Sequence, residues 1–124
     1  MALIEYAGAI VLEVDGKEVE VVDYGVTNKT GRKLVKTMNR TGRAKGFARG
    51  VGEYELSITV VVPVAGDLDW GGIEGAKLTS FPNTEGGQRT SYLDCFTTEV
   101  GDKYSVENEQ RRDIKMNAIR EVKE

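Results

Sequence analysis

Histidine is absent from this 124-residue chain, cysteine occurs once and proline twice. Without histidine there is no Ser-His or Cys-His nucleophile activation, no imidazole metal ligand and no side chain that ordinarily titrates near neutrality. The lone Cys95 excludes an intramolecular disulfide and fits a reducing compartment. No apolar run approaches the ~20 residues of a membrane-spanning helix, and the longest, Val60 to Ala65, contains Pro63. Met1-Ala2-Leu3-Ile4-Glu5 has neither a basic n-region nor a long apolar h-region, so no signal peptide is expected and synthesis in the cytoplasm is. The most informative absence is local. Between Tyr24 and Gly52 there is no Asp or Glu, although the chain has 20 acidic residues, and that stretch holds eight of its lysines and arginines. The segment therefore carries +8 and the remainder −11, for a formal net charge of −3. Such segregation suits a meeting with a polyanion or with another copy of the same chain.

What is present is the composition of an ordinary globular protein, 40% hydrophobic and 30% charged, long enough for one domain over 1–124. Period-two alternation dominates. Gly8, Ile10, Leu12 and Val14 share one strand face and lead into Asp15-Gly16, a pair suited to a type I′ turn. That turn pairs Val14 with Lys17, Leu12 with Val19 and Ile10 with Val21. The clearest strand runs from Glu53 to Val64. Tyr54, Leu56, Ile58, Val60, Val62 and Val64 lie on one face, and Glu53, Glu55, Ser57 and Thr59 on the other. A short helix is expected around Asp67 to Glu74, capped by Asp67 and anchored by Leu68, Trp70 and Ile73, with Gly71 and Gly72 limiting its length. A strand near Lys77 to Phe81 and a turn at Pro82 to Gly87 follow. Another strand spans Arg89 to Val100, with Tyr92, Phe96 and Val100 opposite Leu93 and Cys95, and Gly101-Asp102 is expected to break it. After a loop at Glu107 to Glu109, a last strand aligns Ile114, Met116, Ala118 and Val122, interrupted by Arg120. The glycine-rich basic segment 28–52 reads as a long arm or hairpin. The fold expected is mainly β, a β-sandwich or barrel-like domain with one short flanking α-helix and that arm.

Catalytic and metal motifs are incomplete. Gly16-Lys17 lacks the upstream glycine of a P-loop, and Asp67-Leu68-Asp69-Trp70-Gly71 begins like a calcium loop but loses its third ligand and terminal Glu. Glu53 and Glu55 share a strand face and could form a carboxylate pair, but a hydrated polar face is the simpler account. Cys95 has no basic neighbour in sequence and reads as a packed small side chain. The sequons at Asn28 and Asn39 have no meaning without secretion. No cofactor or metal is expected. In the arm, Arg43, Lys45, Phe47 and Arg49 fall on one side if extended. Cations interleaved with an aromatic can follow a nucleic-acid backbone and stack a base. The same arrangement can dock on an acidic surface of an identical subunit, or it can be a solvated loop.

The stretches Lys45-Gly46 through Glu53 to Val60, Asp67 to Trp70, Arg89 to Phe96 and Arg111 to Ala118 together resemble tail tube proteins of long-tailed bacteriophages. The likeness is one of layout over most of the chain: paired strands, an arm, a long strand, one helix, closing strands. Members are β-sandwiches with a flanking helix that form hexameric rings with a continuous inner barrel, stacked into tubes. The tubes of contractile injection devices and of type VI secretion look alike at this level. The resemblance implies a non-enzymatic structural virion protein, located in the tail. Its partners would be itself, other tail proteins at the tube ends, and genomic DNA passing without specific binding. It further suggests that Lys29, Arg32, Lys33, Lys36, Arg40, Arg43, Lys45, Phe47 and Arg49 contact adjacent subunits or rings. Glu53, Glu55, Ser57 and Thr59 would face the channel. The alternative is a small β-barrel nucleic-acid-binding module using Arg43, Lys45, Phe47 and Arg49. A third reading is a histidine-free enzyme working through paired carboxylates.

Overall fold

The protein is described by a computed structural model covering residues 2–6, 8–66, 68–83 and 87–123. Its strands are β1 (Ile10–Val14), β2 (Lys17–Val19), β3 (Val21–Lys29), β4 (Arg32–Val35), β5 (Gly46–Arg49), β6 (Glu53–Val61), β7 (Glu74–Pro82), β8 (Thr90–Lys103), β9 (Arg111–Ala118) and β10 (Arg120–Lys123). The main sheet has the order β2-β1-β7-β8-β9-β6-β3, with β10 alongside β8, and β4 and β5 form a separate two-stranded hairpin. Every ladder is antiparallel. The sheet curls on itself into a half-barrel.

The inner surface of that curl is the core. Leu12, Val14, Leu56, Ile58, Val60, Leu78, Tyr92, Cys95, Ile114 and Met116 are buried there, with Trp70 closing one end. Burying each large aliphatic chain contributes about 1.5–3 kcal/mol. The first hairpin has the expected register, Leu12 opposite Val19 and Val14 opposite Lys17. Asp15 and Gly16 take φ of 52° and 84°, as a type I′ turn requires. Asp15 also latches the turn to the next strand: its N–H donates to the Lys77 carbonyl and its Oδ1 accepts from the Lys77 N–H, both at 2.9 Å. Ile10 pairs with Pro82 rather than Val21, because the chain leaves the hairpin at Glu20 and β3 joins β6.

Other sequence expectations need correction. β6 ends at Val61, not Val64, since Pro63 offers no N–H to a ladder. The inner face is as read from Tyr54 to Val60, while Val64 is fully exposed. The expected α-helix is a single 3₁₀ turn, Trp70–Gly72. Gly71 and Gly72 forfeit the backbone preference that longer helix growth needs. Asp67, its expected cap, lies outside the described residues, and Asp69 caps nothing with its side chain. The anchors are as read: Trp70 is buried, and Leu68 and Ile73 pack against the core. β7 extends well beyond Lys77 to Phe81, and of the turn Pro82 to Gly87, residues 84–86 lie outside the described residues.

β8 runs through Gly101 and Asp102, which pair with Asp113 and Arg112 instead of breaking the strand. Its alternation is reset by a bulge. Asp94 takes φ 57°, and four residues of β8, Tyr92 to Cys95, span what three residues of β7, Ala76 to Leu78, span opposite. Tyr92 and Cys95 therefore both point inward, whereas simple alternation puts them on opposite faces. The expected last strand is two. The ladder along β8 is interrupted at Ile119, whose N–H donates to the Leu93 carbonyl at 3.2 Å, and β10 resumes along β8 with Arg120 opposite Leu93, in the register of Asn117 opposite Phe96. Past that interruption Val122 is 39% exposed, whereas Ile114, Met116 and Ala118 before it are buried.

Tyr24, Tyr54 and Tyr92 approach one another at one flank of the core, with the Tyr54 and Tyr92 ring centroids 5.7 Å apart. Burial pushes the Tyr24 phenol up to about 12 and the Cys95 thiol up to about 11. Burial and a hydrogen bond with Glu121 raise Tyr92 further. Ser80 lies beside the Tyr24 hydroxyl, close enough to lower its pKa somewhat, but not in a geometry that satisfies it. Groups whose folded pKa is raised add stability that is complete below the unfolded value and vanishes as pH climbs through the folded one. The denaturation midpoint should therefore be flat from neutrality to about pH 9 and fall between pH 9 and 12. Tyr24→Phe removes a buried, unpaired hydroxyl. It should hold or slightly raise stability at pH 7 and flatten the alkaline decline, as urea titrations at each pH would register.

Candidate assembly surfaces

On the outer side of the core wall, β3, β6, β9 and the second half of β8 make a polar face. Glu53, Glu55, Ser57 and Thr59 stand on it because the strand period places them opposite the half-buried Tyr54 and the buried Leu56, Ile58 and Val60. Register puts Lys29 beside Glu53, Thr27 and Asn117 beside Glu55, and Lys115 beside Ser57. Cations and acids interleave. Lys29 Nζ is 2.8 Å from Glu55 Oε1 and 3.9 Å from Glu53 Oε1, Lys115 Nζ is 3.8 Å from Glu99, and Lys103 Nζ is 3.7 Å from Asp113. Thr59 Oγ1 donates to Asp113 Oδ1 at 2.9 Å. The hydrogen bond to Glu55 raises the Lys29 pKa. Exposed pairs of this kind add little stability. Their effect is to leave a wetted surface with no block of one charge.

The same four strands end in two open edges. Among the described residues β3 pairs with β6 alone. The β7 ladder on β8 stops at Glu74 opposite Phe96, and Thr97 adds one bond to the Ile73 carbonyl at 3.3 Å. From Glu99 to Lys103 β8 has β9 on one side and, among the described residues, no strand on the other. With β3, β6, β9 and β8 alternating in direction, the two open edges run opposite ways. Copies related by rotation can therefore join β3 to β8 as a further antiparallel pair.

The basic segment folds as the β4–β5 hairpin, off the main sheet and exposed throughout both strands. Rungs pair Arg32 with Arg49, Lys33 with Ala48, Leu34 with Phe47 and Val35 with Gly46. The Arg49 guanidinium lies 5.6 Å from the centroid of the Phe47 ring. At the tip, Asn39 ties the loop: its Oδ1 accepts from the Thr41 N–H at 3.0 Å and its Nδ2 donates to the Arg43 carbonyl at 2.7 Å. Among the described residues, Arg32, Lys33, Lys36, Arg40, Arg43, Lys45 and Arg49 have no acidic partner within 4.0 Å. Lys29 differs from the rest of the arm set, because β3 carries it into the main sheet with Glu53 and Glu55.

The arrangement thus brings the four β6 residues and Lys29 onto one face and keeps the other arm cations and Phe47 apart on the hairpin. Sequence reading missed Asp113, Lys115 and Asn117, although the alternation of Ile114, Met116 and Ala118 assigns them to the polar side. It also missed a groove at the far end of the barrel, lined by Lys17, Glu18, Val19, Glu20, Val60, Val61, Pro63, Gly66, Leu68 and Trp70. That groove joins segments distant in sequence, so no local pattern announces it. Among the described residues no cluster of three or more acidic or cysteine side chains is placed to hold a metal ion.

The chain is thus a curled antiparallel half-barrel with a polar outer face, two open edges and a projecting hairpin. Solved structures share it across almost the whole chain. The sheath/tube terminator of the extracellular contractile injection system PVC matches with a TM-score of 0.69 at 12% identity, over 98% of this chain and 99% of that one. The SPP1 tail tube matches with a TM-score of 0.64 at 14% identity, over 92% and 74%. The tail of an empty gene transfer agent particle, refined with C6 symmetry, matches with a TM-score of 0.60 at 14% identity, over 93% and 92%. No family model matches the sequence, and no curated protein does. The protein shares the fold of these three structures.

Proposed function

We propose that the protein is a structural subunit of a tail-type tube, a non-enzymatic part of a virion tail that assembles into stacked, hexameric rings. The observation that carries this reading is the pair of open, oppositely directed edges on β3 and β8, flanking one polar face. An open edge is a liability for a free monomer, and closing a ring removes both edges at once. β3 of one copy then continues β8 of the next, the inner wall becomes one barrel, and Glu53, Glu55, Ser57 and Thr59 face its lumen. There the interleaved charges leave DNA no cationic track, so it passes as through a passive conduit. The folds of the sheath/tube terminator, the tail tube and the gene transfer agent tail support the same reading.

Negative-stain microscopy of the purified protein should show rings or tubes, and a strict monomer at high concentration would overturn the proposal. Hydrogen exchange gives a residue-level check. Amides in 21–29 and 99–103 should gain protection on assembly, while those of β1 and β7, already paired within the chain, change little. Unchanged exchange at β3 in formed tubes would rule out edge joining.

A further inference from the structure

We propose that the cationic hairpin of one copy seats Phe47 in the apolar groove at the far end of a second copy, and that this contact stacks one ring on the next. The inference rests on the tube reading and adds to it the acceptor site.

The two surfaces lie at opposite ends of the molecule. The hairpin leaves the sheet beside the Lys29–Glu53 rung, and the groove opens beside the Val21–Val60 rung. Between them run most of the nine residues of β6, roughly 25 Å of strand at ~3.3 Å per residue. A donor at one end and an acceptor at the other form a heterologous contact, which repeats head to tail without closing. That is the geometry an axial stack needs.

The surfaces also match in chemistry. Phe47 is 58% exposed and Leu34, its partner across the hairpin, 65%. The neighbouring rung is Arg32 with Arg49. An aromatic anchor beside arginines is the pairing that most often dominates interfaces. In the groove, Val19, Val60, Val61, Pro63, Leu68 and Trp70 supply an apolar floor of about 240 Å³, more than the ~150 Å³ cavity that holds a benzene ring. Its rim carries Glu18 and Glu20, with Lys17 the single cation among the lining residues. Among the described residues the arm's arginines have no acidic partner within 4.0 Å, and these glutamates offer one on the next copy.

Disulfide trapping tests the contact directly, since the native Cys95 is fully buried and silent. Phe47→Cys copies mixed with Leu68→Cys copies, assembled and then mildly oxidised, should give covalent dimers on non-reducing gels. If substitution itself blocks assembly, charge exchange decides. Glu20→Arg alone should raise the concentration needed for tubes at least tenfold, and adding Arg49→Glu should bring it back. Tubes that form with no 47–68 disulfide, or a double variant no better than its parents, would overturn the contact and leave the tube reading standing. Wild-type protein that never forms rings or tubes would remove that reading instead, and this contact with it. If the groove serves a different tail protein or a small ligand, wild-type tubes form without the crosslink, which is again refutation.

Discussion

Gly31→Ala is expected to abolish tube formation while leaving the barrel folded. Gly31 sits at the root of the hairpin with φ +83°, a conformation that costs an L-residue roughly 1–2 kcal/mol. Strain is the smaller part of the effect. A Cβ there would lie 2.6 Å from both the carbonyl carbon and oxygen of Val51 and 2.9 Å from the Gly52 nitrogen. Those are backbone atoms, so no side-chain rotation relieves the clash. The bond that starts the hairpin, from the Gly50 N–H to the Gly31 carbonyl at 2.8 Å, sits at the same crossing. Because β4 and β5 lie off the main sheet, the displacement falls on the arm and not on the core. Gly50→Ala should behave alike, with its Cβ 2.6 Å from the Gly31 oxygen. Gly42→Ala is the control: φ is +68° at the arm's tip, but open space surrounds the new methyl. Thermal melts should place all three variants within several degrees of the parent, and microscopy should show tubes for Gly42→Ala alone. Normal tubes from Gly31→Ala would mean the arm's set has no part in assembly.

Alternation made much of this fold legible in the sequence. It gave the Leu12–Val19 register and the buried side of β6 from Tyr54 to Val60, because a strand half in water must separate its residues by face. It failed where the backbone departs from two-residue repetition. Asp94 in the left-handed region resets the faces of β8, and a positive φ at an aspartate leaves no mark in composition. A like irregularity on β7 near Gly75, φ +84°, hid the start of that strand. The helix expectation followed Asp67, Leu68 and Trp70 and gave too little weight to Gly71-Gly72, which stop the turn at three residues. For the assembly surfaces the division is the same. The cation block and the polar side of β6 follow directly from residue order. The open edges of β3 and β8, and the groove uniting Val19, Val60 and Leu68, exist only after the sheet has ordered and curled.

Trp70→Ala should lower the free energy of unfolding by about 3–5 kcal/mol, the range for removing a buried large aromatic. Trp70 is 2% exposed and closes one end of the core from a three-residue turn. Its carbonyl accepts from Thr97 Oγ1 at 2.6 Å and from the Ile73 N–H at 3.4 Å. Both bonds survive truncation of the side chain, so the loss measures packing. For a chain of this length, such a deficit lowers Tm by on the order of 10–20 °C. A second consequence separates Trp70 from Leu78, which is equally buried but does not line the groove. At a temperature where both alanine variants are folded by circular dichroism, Leu78→Ala should still stack rings at close to the parental concentration. Trp70→Ala should not, because the floor that receives Phe47 has lost its largest side chain. Equal stacking by the two variants would assign Trp70 to the core alone and move the acceptor elsewhere on the barrel.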